Sequence, residues 1–336
     1  MRPAAHHMQC LEFWGGNGAA DAGVVMPGLD VWVFAKPHGQ AGGTANSGEG
    51  GDVHYVSSCG TGRISRVLLA DVAGHGPAVA MLARTLRDLM RRHVNTVNQA
   101  GFVGRMNSEF LAAAEEAGGR FAIAVVATFW APTGYLVASN AGHPRPMGYS
   151  SRSKQWRTVE GGVDVEAAGP SNLPLGIADD AQYTQFAVRL VAGDVVVLYT
   201  DALLECRLPD GRMLGEAGLL DCIRQLDASR PELLASGLYN AVASKCPNPP
   251  DDDATVLVLR CSEGSRAASF ASRAVAGLRF LAMVAGAAAS RLWRGQSTPV
   301  PWPEFSLENI GGGIIPAFGM GLGRDARGLD EQKPVV

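Results

Sequence analysis

Four short segments that carry aspartate could together hold divalent cations. They are Gly50-Gly51-Asp52, Asp71-Val72-Ala73-Gly74-His75-Gly76, Thr200-Asp201 and Asp252-Asp253-Ala254-Thr255. Three of these segments adjoin apolar runs that read as buried strands, and carboxylates at strand ends can meet on one edge of a sheet. Mg²⁺ and Mn²⁺ prefer such oxygen ligands. The pattern therefore predicts a metal-dependent hydrolase.

The segment that begins at Asp71 carries the strongest signal. The apolar run Val67 to Ala70 leads directly into this carboxylate, and small residues that let a ligand approach the backbone follow it. Pro77 then suits the first turn of a helix, whose N-terminus favours negative charge. The other segments have simpler alternatives, because Gly50-Gly51-Asp52 also fits a tight turn and the acidic run 251–253 also fits a solvated loop.

Composition sets the outer limits of the interpretation. With 336 residues, of which 47% are hydrophobic and 18% charged, the chain can bury a sizeable core. A net charge of -3 gives no general attraction to nucleic acid. The six cysteines form no CxxC pair or zinc-spaced cluster, which favours reduced thiols over a disulfide framework. Residues 1–10 contain histidines instead of an apolar stretch, so we expect no secretory signal and a cytoplasmic location.

Hydrophobic periodicity predicts a layered sandwich in which two helix pairs alternate with two groups of strands. Apolar or β-branched runs indicate the strands Val31–Phe34, Val67–Ala70, Phe121–Phe129, Tyr135–Ala138, Val195–Tyr199 and Thr255–Leu259. Apolar residues at helical spacing indicate helices at Pro77–Val94, Val103–Ala117, Leu214–Leu226 and Pro231–Ser244. The Pro- and Asn-rich segment 246–250 ends the last of these helices before the final strand.

Composition also divides the chain into four parts. Residues 1–49 are expected to hold an N-terminal strand region and most of a surface insertion, 37–50, which is rich in small residues and expected to be mobile. Residues 50–261 are expected to form the main domain, with a core that can start near residue 9. Residues 262–294 are expected to form a basic amphipathic helix, and the Pro- and Gly-rich residues 295–336 a disordered tail.

The basic helix has two open interpretations. Residues 266–294 contain five arginines and no acidic residue, and several large apolar side chains fall on one side of a helical wheel. The uninterrupted apolar core, Phe280 to Ala289, is too short to cross a bilayer, which needs about 20 residues. The segment therefore fits peripheral contact with an anionic membrane, or docking to a partner. It fits equally well a helix that packs on the main domain.

Six motifs in a fixed order resemble the SpoIIE/RsbU branch of the PPM-type (2C-like) metal-dependent protein phosphatases. The motifs are GGD at 50–52, DVAGHG at 71–76, NAGHPRP at 140–146, LPLGI at 173–177, GD at 193–194 leading to YTDALLE at 199–205, and DDAT at 252–255. The resemblance runs from about Gly50 to Arg260. It implies an α+β fold, an αββα four-layer sandwich with a binuclear Mn²⁺ or Mg²⁺ centre between two β-sheets. It also implies activity on phosphoserine or phosphothreonine in a signalling partner, typically a STAS-domain anti-sigma antagonist in a partner-switching pathway.

The same resemblance implies a set of metal ligands: Asp52, Asp71, the Val72 carbonyl, Asp201, Asp252 and, as a further contributor, Asp253. Asp71 would bridge both metals and would be the central catalytic carboxylate. Asp52 would complete the coordination of the second metal, directly or through water. Asp201 and Asp252 would hold the first metal. Two cations about 3.5 to 4 Å apart would supply hydroxide near neutral pH and stabilise charge on the phosphoryl oxygens, so no covalent nucleophile is required.

Two histidines in the motifs have alternative interpretations. His75 would be a general acid, as in distant relatives, or would only shape its turn. His143 would lock the loop in which it lies, or would contact substrate. A competing function is a catalytically silent sandwich that acts as a partner-binding module. Intact aspartates at all four ligand positions favour catalysis, because a silent relative would most readily lose these exposed carboxylates.

Overall fold

The computed structural model contains two seven-stranded β-sheets. It describes residues 3–8, 12–38, 49–59, 63–94, 96, 98–159, 171–248, 250, 252–262 and 327–331. In spatial order, the first sheet consists of β1 (Ala4–His7), β3 (Ala20–Met26), β4 (Leu29–Lys36), β13 (Ala254–Cys261), β12 (Val195–Tyr199), β9 (Met147–Ser150) and β10 (Gln155–Thr158). The second consists of β14 (Arg327–Gly328), β11 (Phe186–Arg189), β8 (Tyr135–Ala141), β7 (Ala122–Trp130), β6 (Ile64–Val72), β5 (Glu49–Ser58) and β2 (Phe13–Gly18).

Helices cover one face of each sheet. Their bounds are α1 (Pro77–Arg92), α2 (Gln99–Glu116), α3 (Ala202–Glu205), α4 (Gly215–Arg224) and α5 (Pro231–Lys245). Pro77 occupies the first turn of α1, where its missing N–H costs nothing. Asn98 caps α2, because its side chain accepts a hydrogen bond from the Gly101 N–H at 2.9 Å.

Three apolar clusters define four layers. The inner cluster lies between the two sheets and includes Val33, Leu69 and Leu257. A second cluster packs the second sheet against α1 and α2, and a third packs the first sheet against α4 and α5. The α+β, αββα four-layer sandwich is therefore confirmed. The six strands and four helices expected from periodicity are all present, with ends that differ by a few residues.

Several features differ from expectation. Gly50-Gly51-Asp52 lies inside β5 and not in a tight turn, because it pairs with β6. The strands β2, β3 and β4 all belong to the two sheets, so the sandwich extends well upstream of residue 50. The expectation of a disordered tail over 295–336 is wrong for residues 327–331, which form β14 and a 3-10 turn, Leu329–Glu331, with Leu329 in the inner core.

The cysteines also require a correction. Cys206 and Cys246 form a disulfide, with Cα atoms 6.3 Å apart, whereas reduced thiols were expected. These residues lie 40 positions apart and follow α3 and α5, so only the packing of these helices brings them together. Most of the expected insertion, residues 39–48, and almost all of the expected basic helix, residues 263–294, lie outside the described residues. Within the described part of the chain, no helix is long and apolar enough to span a bilayer.

Candidate metal centre

Each sheet contributes two of the candidate aspartates. In the second sheet, Asp52 of β5 lies directly opposite Asp71 of β6 in the antiparallel register. In the first sheet, Asp201 follows the end of β12 and Asp252 precedes the start of β13, and these two strands pair antiparallel. Asp71, Asp201 and Asp252 thus lie at or beside strand ends, and Asp52 lies opposite Asp71.

Two hydrogen bonds connect these ends of the sheets. The Thr200 hydroxyl, next to Asp201, donates to Asp52 Oδ2 at 3.0 Å. The Gly51 N–H donates to Asp253 Oδ2 at 2.5 Å. The structure therefore brings three sequence segments, 50–52, 200–201 and 252–255, to one place. Asp71 joins them through its pairing with Asp52.

The electrostatics of the site are those of an acidic cluster whose carboxylates raise one another's pKa. Burial raises the pKa of Asp52 most, since its residue is only 6% exposed, and the charge of Asp71 raises it further, while the hydroxyls of Thr255 and Thr200 oppose these effects. Burial, and then Asp201, raise the pKa of Asp71 to about 7. Burial also raises the pKa of Asp201. Each carboxylate would gain from a nearby cation.

Two further observations indicate that these residues could bind a divalent cation. Asp52 Oδ1 is buried and has no hydrogen-bond partner among the described residues. A Cβ atom added to Gly51 would lie 2.8 Å from the Val72 carbonyl oxygen and 3.4 Å from Asp71 Oδ1, so both oxygens face the same small space beside this glycine. In the described residues, no three His, Cys, Asp or Glu side chains form a closed ligand set.

The two neighbouring aspartates before β13 have different environments. Asp252 is exposed, and its Oδ1 accepts the N–H of Asp253 at 2.8 Å. Asp253 is buried, and both of its carboxylate oxygens accept backbone N–H bonds, Oδ1 from His38 at 2.6 Å and Oδ2 from Gly51. Asp252 is thus open to an incoming ion, whereas Asp253 is already bound to the backbone.

The turn after Asp71 has an unusual backbone, and sequence reasoning missed the residue that supports it. Gly74 and Gly76, on either side of the exposed His75, have φ angles of 104° and 99°, which favour glycine. Arg120 Nη1 donates to the Ala73 carbonyl at 3.0 Å. Only the fold places Arg120 here, and the sequence around it carries no signal for this role.

His143 lies in a different setting from His75. It is buried, and the Asn140 side chain bonds both its N–H and its carbonyl oxygen, each at 2.7 Å. Its Nδ1 lies 3.0 Å from the Pro144 carbonyl, and its Nε2 has no partner among the described residues. Burial lowers the pKa of His143 to about 4. This arrangement supports the interpretation in which His143 locks its loop.

Known proteins resemble this chain in sequence. The family model described as Stage II sporulation protein E (SpoIIE) matches residues 62–262. Phosphoserine phosphatase RsbU of Bacillus subtilis (strain 168) is 31% identical over 122 residues, which are 36% of this chain and 33% of RsbU. The matched region thus spans only about a third of that relative.

Solved structures share the fold. The RsbU and RsbW domains of Rv1364c from Mycobacterium tuberculosis give a TM-score of 0.56 at 23% identity, covering 82% of this chain and 74% of that one. The SiaA-PP2C domain of Pseudomonas aeruginosa gives 0.55 at 17% identity, covering 68% and 85%. The PP2C phosphatase domain of SpoIIE from Bacillus subtilis, with a fragment of its regulatory domain, gives 0.53 at 14% identity, covering 75% and 64%.

The SpoIIE match covers more than half of the chain and contains three of the four candidate aspartates, Asp71, Asp201 and Asp252. The fourth, Asp52, lies upstream of the match, and pairing of β5 with β6 brings it to the same place. Motifs, fold and family match agree, and the chain belongs to the SpoIIE family, in the SpoIIE/RsbU branch of the PP2C-type (PPM-type) phosphatases.

Proposed function

We propose that this protein is a metal-dependent protein serine/threonine phosphatase that acts on a phosphorylated signalling partner. The observation that carries the proposal is that Asp52 pairs with Asp71 in one sheet and accepts a hydrogen bond from Thr200, which lies beside Asp201 at the end of β12 in the other sheet. Such a group of carboxylates destabilises the fold unless cations neutralise it. Its retention in a PP2C-type sandwich favours catalysis over a silent binding module.

We propose a set of ligand oxygens that the geometry of the site supports. Asp71 would bridge two Mg²⁺ or Mn²⁺ ions, with the Val72 carbonyl and the free Oδ1 of Asp52 beside it. Asp201 and the exposed Asp252 would complete the set from the first sheet. When bound, such ions lower the pKa of a coordinated water and stabilise charge on the transferred phosphoryl group.

The remaining chemistry belongs to the turn after Asp71. His75 is exposed there, before the N-terminus of α1, and is the candidate to donate a proton to the leaving serine oxygen. The alternative role for His75 is to shape the turn. A His75→Ala variant separates the two roles, since loss of a general acid changes the shape of the pH–rate profile and a turn defect lowers the whole profile.

We propose a partner of the STAS anti-sigma antagonist type, as the resemblance to the SpoIIE/RsbU branch implies. RsbU is described as a phosphoserine phosphatase, and Rv1364c contains an RsbU domain together with an RsbW domain. We propose that specificity comes from docking of a folded phosphoprotein, because activated water alone would attack any accessible phosphate ester. Short phosphoserine peptides should then be poorer substrates than an intact phosphorylated STAS protein.

Hydrolysis of a chromogenic phosphate ester by the full chain tests the proposal. We expect turnover that requires Mn²⁺ or Mg²⁺ and is abolished by EDTA. Asp71→Asn should remove it, while Asp179→Asn, at an exposed aspartate outside the four aspartate segments, should not. An absence of metal-dependent turnover on both the ester and a phosphorylated STAS protein would reject the enzyme and favour the partner-binding module.

A further inference from the structure

The Thr200 side chain connects the first sheet to Asp52. Thr200 is 0% exposed, and two bonds fix it to the start of β13: its N–H donates to the Thr255 carbonyl at 3.1 Å, and its hydroxyl accepts the Thr255 N–H at 2.9 Å. The hydroxyl proton has two acceptors in reach, Asp52 Oδ2 at 3.0 Å and the Asp253 carbonyl at 3.5 Å. The shorter bond to the carboxylate is the stronger one.

This bond distinguishes the two oxygens of Asp52. Oδ2 is held by Thr200, whereas Oδ1 is buried and without a partner among the described residues. Because a carboxylate is planar, fixing one oxygen also fixes the direction of the other. The hydroxyl of Thr200, together with that of Thr255, therefore helps to set which oxygen of Asp52 is presented to the shared space.

Asp253 makes a second connection between the sheets, through the backbone. It is 8% exposed, and its Oδ2 accepts the Gly51 N–H at 2.5 Å with the Asp52 N–H further away at 3.4 Å. A Cβ atom on Gly50 would lie 2.1 Å from the same oxygen, so only glycine permits this approach. The start of β5 is thereby held against the start of β13.

These polar bonds have a different role from the inner core. The two sheets otherwise meet through apolar side chains, whose attraction is strong but has no preferred direction. Hydrogen bonds to a carboxylate are directional and shorter. The core holds the sheets together, and the directional bonds of Thr200 and Asp253 help to set the position of Asp52 relative to Asp201 and Asp252.

We infer that Thr200 and Asp253 are positioning residues that set Asp52 of the second sheet against the ligands of the first. The inference rests on the proposed metal-dependent function. It assigns Asp253 to the backbone of β5 and not to an ion, in contrast to the ligand role implied by family resemblance. Thr200 acts through the side chain of Asp52, and Asp253 acts through the N–H groups that precede it.

The test compares Thr200→Val, which keeps the shape but removes the hydroxyl, with Thr200→Ser, which keeps the hydroxyl. Mn²⁺ affinity of the full chain is measured by calorimetry, beside the melting temperature without metal. We expect Thr200→Val to weaken Mn²⁺ binding by about tenfold or more, as for other residues that orient metal ligands, and Thr200→Ser to stay within about threefold of wild type. Thr158→Val, at a buried threonine in β10, should leave Mn²⁺ affinity unchanged.

The outcomes separate the inference from the function on which it rests. If the wild-type chain binds no Mn²⁺ and hydrolyses no phosphate ester, both the positioning inference and the proposed function are rejected. If wild type binds Mn²⁺ and Thr200→Val binds it equally well, only the positioning role falls, even when the variant melts at a lower temperature.

Asp253→Asn provides an independent comparison if Thr200→Val does not fold. A positioning role predicts a weaker but measurable Mn²⁺ affinity, with a smaller loss than in Asp252→Asn. Equal losses in the two variants would overturn the assignment and make Asp253 a ligand.

Discussion

Gly51→Ala should damage the metal centre by sterics alone, without removing any ligand. The added Cβ would lie 2.8 Å from the Val72 carbonyl oxygen and 2.9 Å from Val79 Cγ1. Favourable contacts between non-bonded atoms begin near about 3.5 Å, so the backbone of β5 and the Val72 carbonyl must separate by at least about 0.5 Å. The variant thus moves a proposed backbone ligand and leaves every carboxylate in the sequence.

The expected size of the effect follows from this displacement. Overpacking of a closely packed site costs about 1–3 kcal/mol of unfolding free energy. Misplacement by about 1 Å can cost about a hundredfold in rate, so a shift of half that size should lower Mn²⁺ affinity and turnover by about tenfold or more. The loss of function should therefore exceed what a partly unfolded population explains.

Three measurements on the purified variant test this expectation: the melting temperature without metal, Mn²⁺ affinity by calorimetry, and turnover of a chromogenic phosphate ester. Gly104→Ala is the matched control, because a Cβ at this position in α2 meets nothing within 4 Å. Alanine in a helix should raise stability there by up to about 1 kcal/mol and leave the site unchanged. Wild-type Mn²⁺ affinity and turnover in Gly51→Ala would refute the placement of the Val72 carbonyl beside the ions.

Three further predictions concern charge, pH and the C-terminal segment. Asp71→Asn should abolish Mn²⁺ binding yet raise the melting temperature of the metal-free chain. The reason is that burial and neighbouring carboxylates raise the pKa of Asp71 to about 7 and make its charged form unfavourable. A lower melting temperature in this variant would contradict the acidic cluster. Burial lowers the pKa of His143 to about 4 from 6.5, so the unfolded chain binds more protons between these values. The folded state should therefore lose about 3 kcal/mol from this residue as pH falls from 6.5 towards 4, and urea titrations across this range should show a shallower pH dependence in His143→Gln. Leu329 is 2% exposed in the inner core, so Leu329→Ala should cost about 2–4 kcal/mol in thermal or urea unfolding, and a neutral result would show that residues 327–331 contribute nothing to the sandwich.

The sequence by itself predicted six of the fourteen described strands, four of the five helices and a type of chemistry. Apolar runs such as Val67–Ala70 and Val195–Tyr199 specify strands because their residues must be buried, and the period of the apolar residues in α1 specifies the face that packs on the second sheet. Asp71 and Asp201, which follow these apolar runs, indicate that each strand has a carboxylate at or beside its end. All of this information is local, because burial and periodicity act over a few neighbouring residues.

The tertiary structure alone decided which residues meet. Asp253 bonds the N–H of Gly51 across 202 positions of sequence, and Thr200 bonds Asp52 across 148. Nothing in the segment 252–255 shows that Asp252 faces solvent while Asp253 bonds the backbone of another strand. Nothing in the sequence shows that residues 327–331 return to the edge of a sheet. Such contacts depend on the order and register of the strands, which result from packing of the whole core and have no local pattern.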